Sequence, residues 1–510
     1  MAATSLLANS RWNLIAFVFT LGAHFIIVPG VIAAIGLVPF GHAGLVIAVW
    51  APLILVGTVI GQAVTRELAA QLATGAKQPW ASQLASSALW LCAATSLLVG
   101  ATFVWLGPYW LDWLDQQPRD LAGARADILA LSIGWLAQQG LLVIQGIVAA
   151  HQDFKTIARI SAASAIAAVI STLGMVQIFP DARGYLGGIS LGFVIAALCA
   201  AWLVTGQGRL SNVSGRPSIA ACRILLNFGK WQAVAQLSGT LGNQIDRYIL
   251  ASIASPAIIG QYNAANRLQE AAYSGVIKVA EVLFPRFGAG SHDSAEHRLT
   301  LLLTSSWAVM TFSCLVLAPM IISADPLLRL WAGPDVAQGG SHILQVLVLG
   351  GLIGCGSNVL TYYLMGAGDT APLAAISVIY SLLTILFSLV LLNVYGPRAA
   401  GAGIALASLL RVFLALIIGK TRLFPQARWN HLLISTALPI AVAIAIALPV
   451  AWWGQLEFVD QWWELLVTII GSIVAIGAAI VAMTSLSSFG RSLIGSLFSR
   501  VYNSPDTSTT

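Results

Sequence analysis

The chain has 510 residues, of which 58% are hydrophobic and only 9% charged. Soluble domains carry about 25% charged residues, so this composition excludes a soluble enzyme or nucleic-acid-binding module and predicts an all-α polytopic membrane protein. The net charge of +6 is informative through its distribution across the membrane rather than its total.

At about 20 apolar residues per span, the chain reads as about 14 transmembrane helices: 12–36, 41–65, 83–106, 127–149, 156–179, 184–206, 231–254, 260–285, 299–323, 341–365, 371–393, 401–420, 431–453 and 462–484. Residues 1–10 carry no cleavable signal pattern before Arg11, and the apolar run that follows is read as the first span. Placing the N-terminus in the cytoplasm leaves 16 basic residues in inner loops and tails, five outside (Arg119, Arg125, Arg183, Arg329, Arg398) and four within spans. That asymmetry obeys the positive-inside rule and predicts cytoplasmic N- and C-termini. The outer side is acidic and aromatic, as in "PYWLDWLDQQPRD" and "WWGQLEFVDQWWE", where Trp and Tyr suit the membrane interface. No loop is long enough for a soluble catalytic domain.

An internal repeat organises the spans. "SRWNLI" (residues 10–15) matches "GKWQAV" (229–234), and "VPFGHAG" (38–44) matches "AIIGQYN" (257–263), pairing Gly41 with Gly260. "FPDARGYLGGI" (179–189) matches "VYGPRAAGAGI" (394–404), pairing Arg183 with Arg398 and Gly188 with Gly403. Copies containing an even number of helices run parallel, an arrangement found in transporters with the substrate site at the repeat interface. The expected organisation is an N-terminal six-helix lobe (1–210), a basic cytoplasmic linker (211–230), a C-terminal six-helix lobe (231–425), an extra helix pair (426–490) and a cytoplasmic tail (491–510).

The remaining membrane charges are patterned. In the eighth span, Asn263, Arg267, Glu270, Ser274, Lys278 and Glu281 recur at spacings of 4, 3, 4, 4 and 3 and share one helical face. In the seventh, Gln232, Gln236, Thr240, Asn243 and Arg247 do the same, with Asp246 to one side. Charged faces are costly against lipid and must meet each other, the bundle or water. The bland alternative is mutual neutralisation in the i,i+3 pairs Arg267–Glu270 and Lys278–Glu281. Against it, spans one and two, the first-half counterparts of these helices, carry almost no charge, with His24 as the only titratable residue well inside a span. With Arg411 added, four cations (Arg247, Arg267, Lys278, Arg411) face three acids (Asp246, Glu270, Glu281), and a net-cationic surface suits an anionic headgroup. The substrate-facing candidates are these cations with Asn243, Asn263 and Gln236; the three acids are candidates for ion coupling or charge pairing, and Asp246 fits either.

Other motifs carry little. "GKT" at 419–421 lacks the upstream glycine of a phosphate loop and closes an apolar span. His24 reads more simply as a packed, hydrogen-bonded residue than as a proton carrier. Cys92, Cys199, Cys222, Cys314 and Cys355 have no metal-ligand spacing and predict neither a metal site nor a disulfide framework. Asp112 and Asp115 in "WLDWLD" read as a solvated outer loop, not as a catalytic pair.

The segment "NQIDRYILASIASPAIIGQYNAANRLQEAAYSGVIKVAEVLFPRFG" (243–288) resembles the polysaccharide-transporter, Wzx-type flippase branch of the multidrug/oligosaccharidyl-lipid/polysaccharide (MOP) exporter superfamily. The matching features are the Asp246–Arg247 pair, the "G.Y..A.R" pattern at Gly260, Tyr262, Ala265 and Arg267, and "LFPRF" at 283–287. The resemblance implies a MOP/MATE-like fold of two six-helix lobes plus two extra C-terminal helices, in a bacterial inner membrane. It implies translocation of an undecaprenyl-diphosphate-linked oligosaccharide from the cytoplasmic to the periplasmic leaflet, with no covalent chemistry and no cofactor. A proton or sodium gradient is the expected driving force. The implied partners are membrane lipid, the lipid-linked glycan and the polysaccharide polymerase machinery, not nucleic acid. Two readings within the same fold remain, a drug or organic-cation antiporter and a lipid II flippase. A membrane-embedded polymerase or glycosyltransferase, the third reading, lacks the large outer loop or acidic motif it would need.

Overall fold

The computed structural model describes residues 2–73, 78–114, 121–206, 216–281, 294–366, 371–453 and 459–502. All their regular structure is helical. Twelve segments are long and apolar enough to cross a membrane, beginning with Ile15–Ile35 and ending with Trp462–Ser485. Two further long helices, Ile219–Ile253 and Pro256–Glu281, occupy the positions of the expected seventh and eighth spans. Their polar stripes account for their absence from the apolar set.

The chain divides into two compact units, Met1–Asn263 and Ala264–Thr510. In the first, helices α1 (Ala2–Ile35), α2 (Leu37–Trp50), α3 (Leu55–Ala73), α4 (Gln78–Leu114), α5 (Leu121–Ala150), α6 (Phe154–Ile178) and α7 (Ala182–Gly206) pack with α8 (Ile219–Ile253) and the start of α9 (Pro256–Glu281). Helix α8 packs on α3 and α4. The division between the two units falls inside α9. The second unit contains the rest of α9 and, among its longer elements, α10 (Ala295–Ile322), α11 (Ala324–Ala332), α12 (Pro334–Cys355), α13 (Asn358–Gly366), α14 (Ala371–Tyr395), α15 (Ala402–Ile418), α16 (Leu438–Trp453) and α17 (Trp462–Ser485).

Local chemistry sets several boundaries. Pro52, at the start of the 3-10 turn Ala51–Ile54, separates α2 from α3 within one apolar run of 33 residues. Asp153 caps α6 by accepting from Thr156 N at 3.1 Å and from its hydroxyl at 2.6 Å. Glu464 closes the capping box of α17 by accepting from Gln461 N at 3.1 Å. "GKT" lies in the π-turn Gly419–Leu423 that ends α15, where Lys420 Nζ donates to the Pro425 carbonyl. His24 Nδ1 lies 2.8 Å from the Thr20 carbonyl, one turn earlier on the same helix.

Burial follows membrane rules. Large apolar side chains are exposed along outward faces, such as Trp463, Leu466, Val467, Ile470 and Val474 on α17. Their 3–4-residue spacing marks a helix stripe whose solvent is hydrocarbon. Small residues fill the seams between helices. A Cβ on Gly134 would lie 2.2 Å from Ser190 Cα, and one on Gly188 would lie 2.6 Å from Thr172 Cα. The second unit repeats both contacts, with Gly350 against Ala405 and Gly403 against Ser388. These pairs sit 215 or 216 residues on from their counterparts, so the sequence repeat is also a repeat of helix packing.

Candidate substrate-facing site

The α8–α9 corner begins where backbones touch. A Cβ on Gly41 of α2 would lie 2.0 Å from the Pro256 carbonyl oxygen and 2.6 Å from Gly260 N. Gly41 and Gly260 are repeat mates, so equivalent residues meet each other, as residues near a two-fold axis do. One turn further on, Gly44 leaves the space that its own repeat mate, Asn263, occupies. A Cβ on Gly44 would lie 1.9 Å from Asn263 Nδ2.

Asn263 is placed there to meet Arg247. Arg247 Nε donates to Asn263 Oδ1 at 2.9 Å, and Nη1 donates to Gln244 Oε1. The guanidinium also lies over the Tyr262 ring, 5.6 Å from its centroid, a favourable placement for a desolvated cation. Arg247 is 6% exposed, Asn263 5% and Asp246 0%. The neighbouring Tyr248 hydroxyl donates to the Ala48 carbonyl at 2.8 Å. In this conformation Arg247 is therefore a buried, hydrogen-bonded centre that ties α8 to α9, rather than an open anion site.

The other polar residues of α8 are more accessible. Asn243 is exposed, and Gln236 Nε2 donates to Gln62 Oε1 on α3 at 2.8 Å. Gln62 is a partner that sequence did not single out.

Within the second unit, α9 keeps two distinct faces. Ala264, Ala265, Leu268, Val276 and Ala280 are buried, while Glu270, Ser274 and Lys278 are exposed and Arg267 is partly so. Arg267 Nη1 lies 3.6 Å from Glu270 Oε2, and Glu270 Oε1 accepts from Asn266 Nδ2 at 2.7 Å. An i,i+3 pair this exposed contributes at most about 1 kcal/mol. Arg411 on α15 lies over the Tyr380 ring at 5.2 Å. Asn358 Nδ2 approaches the Tyr273 hydroxyl of α9 at 3.5 Å. The side chains of Gln232 and Glu281 and the whole of "LFPRF" lie outside the described residues, as does Asp115.

Beyond its first two spans, the first half holds a buried acid that sequence did not single out. Helix α5 starts at Leu121 rather than 127, which moves Asp127 from the first residue of the expected span to the second turn of the helix, where it is 3% exposed. Asp127 Oδ1 pairs with Arg183 Nε of α7 at 3.0 Å, and Oδ2 lies 3.6 Å from His42 Nε2 of α2. The signal was present in the sequence, since Asp127 sits in helical register with Ala124, Ile128 and Leu131, all buried. Among the described residues no cluster of His, Cys, Asp and Glu has the makings of a metal site, and all five cysteines are free thiols.

Comparison with known proteins places this geometry. The polysaccharide biosynthesis protein family model matches residues 6–291, more than half of the chain, and the MatE model matches 285–390. No curated protein sequence matches. Among solved structures, the lipid II flippase MurJ in an inward closed conformation aligns over 96% of this chain and 100% of its own, with TM-score 0.74 and 14% identity. An inward-facing multidrug resistance MATE family transporter of the MOP superfamily aligns over 78% and 94%, with TM-score 0.71 and 13% identity. A MOP superfamily transporter from Pyrococcus furiosus, described as having a binding pocket of reversed polarity, aligns over 80% and 95%, with TM-score 0.58 and 14% identity.

Proposed function

The chain belongs to the polysaccharide biosynthesis protein family of MOP-superfamily transporters, and from that premise we propose that it is a flippase for an undecaprenyl-diphosphate-linked oligosaccharide. It moves this substrate from the cytoplasmic to the periplasmic leaflet of the inner membrane by alternating access, with both termini in the cytoplasm. Membership of a polysaccharide family, on a MurJ- and MATE-like fold, carries the reading.

The exposed stripe of α9 supplies the recognition chemistry. Arg267 offers a planar, bidentate donor set to a phosphate, and Lys278, about 16 Å further along the helix at 1.5 Å per residue, offers a point charge. That separation spans more than a diphosphate, so Lys278 suits an acidic sugar or the second phosphate of a tilted headgroup. Glu270 sits beside Arg267 and holds it when no anion is bound. Arg247 and Asp246, buried at the α8–α9 junction, orient the helices that present the stripe.

The test is export of surface polysaccharide in a deletion strain. Arg267→Gln and Lys278→Gln, inserted at normal levels, are each expected to lower export by at least about tenfold, the loss of one charge-assisted contact of about 1.5–3 kcal/mol. Full export by both variants overturns the assignment. A second reading, flipping of lipid II, draws on the full-length fold likeness to MurJ. The deletion strain separates the two, because either the oligosaccharide-linked or the peptidoglycan-linked lipid accumulates facing the cytoplasm.

A further inference from the structure

We infer that His42, Asp127 and Arg183 form a proton-binding site that couples transport to the proton gradient, in the first unit and apart from the α8–α9 stripe. The inference rests on the transport reading above and identifies the ion that drives it.

Three helices bring the site together. Asp127 lies in the second turn of α5, Arg183 in the first turn of α7 and His42 in the second turn of α2. All three are at the end that the positive-inside rule assigns to the outside. His42 is 5% exposed and Asp127 3%, so the carboxylate needs a cation beside it. The Arg183 side chain, by contrast, is 53% exposed, and its charge is nearly as well solvated in water as in the pair. The site therefore has two charge-balanced states. In one, Asp127 is held by Arg183 and His42 is neutral. In the other, His42 has taken a proton from outside, the imidazolium is Asp127's counter-ion, and Arg183 is released to water. Proton uptake exchanges one cation for another on the same carboxylate, so no net charge is left buried in either state.

The exchange has a mechanical consequence. Seven residues below the ion pair on each helix, Gly134 meets Ser190 backbone to backbone, and Gly134 N donates to Ser190 Oγ at 2.7 Å. Seven residues are about two turns, roughly 10 Å. The ion pair fastens α7 to α5 at its tip, and the glycine contact is the fulcrum beneath it. The second unit has the fulcrum, Gly350 against Ala405, and at the matching tip has Arg398. There the residue seven before Gly350, the counterpart of Asp127 seven before Gly134, is the buried Ile343, not an acid. A tie needed only for packing belongs in both copies; a coupling site belongs in one.

Among the described residues, α8 also packs on α2 and brings buried Asp246 and Arg247, the latter bonded to Asn263 beside Gly44. At this end of the unit, α4 contributes Tyr109 and Asp112, both exposed, α5 contributes exposed Arg125, and the entry to α7 contributes Asp181 and buried Tyr185. Asp181 accepts from Gly184 N at 2.8 Å, and the Tyr185 ring lies tilted against Phe40, 5.7 Å between centroids. The charges of α3 and α6, Arg66, Glu67, Lys155 and Arg159, lie at the other end, where Thr65 Oγ1 donates to the Gly146 carbonyl at 2.9 Å. Among the described ion pairs, those of Asp127 are with His42 and Arg183.

The test is amide hydrogen exchange of Gly184–Ser190 in the purified full chain at about pH 5.5 and 8, either side of a histidine's titration and corrected for intrinsic exchange. Acidification of the wild type is expected to speed exchange in this segment about tenfold, equivalent to one pKa unit of differential proton binding. His42→Gln should stay slow at both values, His42→Lys fast at both, and Arg183→Gln fast at both. Asp127→Asn is a second check that needs no buried cation, and it too should lose the pH response. An unchanged pH response in His42→Gln, or in Asp127→Asn should the former not fold, overturns the inference. A parallel arm measures polysaccharide export at acidic and neutral external pH. If the exchange responds as expected but the wild type supports no export, the flippase reading fails while the proton site stands. If export proceeds but is equally insensitive to external pH in wild type and His42→Gln, the coupling role is overturned.

Discussion

Arg247 shows what a buried charge in this protein requires. Its guanidinium is satisfied by Asn263, Gln244 and the face of Tyr262, and room for Asn263 exists because position 44 is glycine. Truncation would leave the two amide side chains without their donor. Arg247→Ala is therefore expected to lower stability by about 2–3 kcal/mol, read as a fall in thermal unfolding temperature in detergent. Arg247→Lys, which keeps the charge but cannot reach both partners, should recover part of that loss. A variant as stable as wild type would show that the pair does not hold the α8–α9 corner. Arg267 and Lys278 are the opposite case, since their exposure makes export rather than folding their readout.

Helix seams are built from small residues placed at the crossing points. Adjacent glycines on α7 make a controlled comparison. A Cβ on Gly188 would meet Thr172 Cα at 2.6 Å, whereas one on Gly187 would meet only the Met175 terminal methyl at 3.4 Å. Gly188→Ala must push α6 and α7 apart and is expected to cost about 1–3 kcal/mol. Gly187→Ala should be neutral or slightly stabilising, because alanine favours the helix by up to about 1 kcal/mol. Equal melting temperatures for the two variants would refute the seam. The same logic at Gly403 and Ser388 makes the seam a property of the repeat rather than of one lobe.

Across the whole molecule, the positive-inside rule predicts the direction of insertion. The turn at 151–153 joins α5 to α6 beside Lys155 and Arg159, and the turn at 179–181 joins α6 to α7 at the opposite end. In a chain whose five cysteines are replaced, Gln152→Cys should react with a membrane-impermeant maleimide only after the cells are opened. Pro180→Cys should react from outside; both positions are exposed. The reverse pattern would invert the topology and move the His42–Asp127–Arg183 site to the cytoplasmic end.

Sequence alone determined the membrane class, the span pattern, the repeat and the family. These follow from hydrophobic run length, charge asymmetry and local motif, which are written residue by residue. It also marked the two polar helices, because 3.6-residue periodicity exposes a stripe wherever one exists. Which stripe residues are open and which are buried was decided by tertiary structure. Arg247 and Arg267 look alike in sequence, yet one is sealed by Asn263 and the other is exposed beside Glu270. Asp127 was missed for a related reason. It opens the expected span 127–149, where an acid reads as a solvated helix end, and only the earlier start of α5 and the approach of α2 and α7 bury it. Contacts between residues 56 and 85 positions apart are not encoded in any local pattern; they exist only once the helices pack.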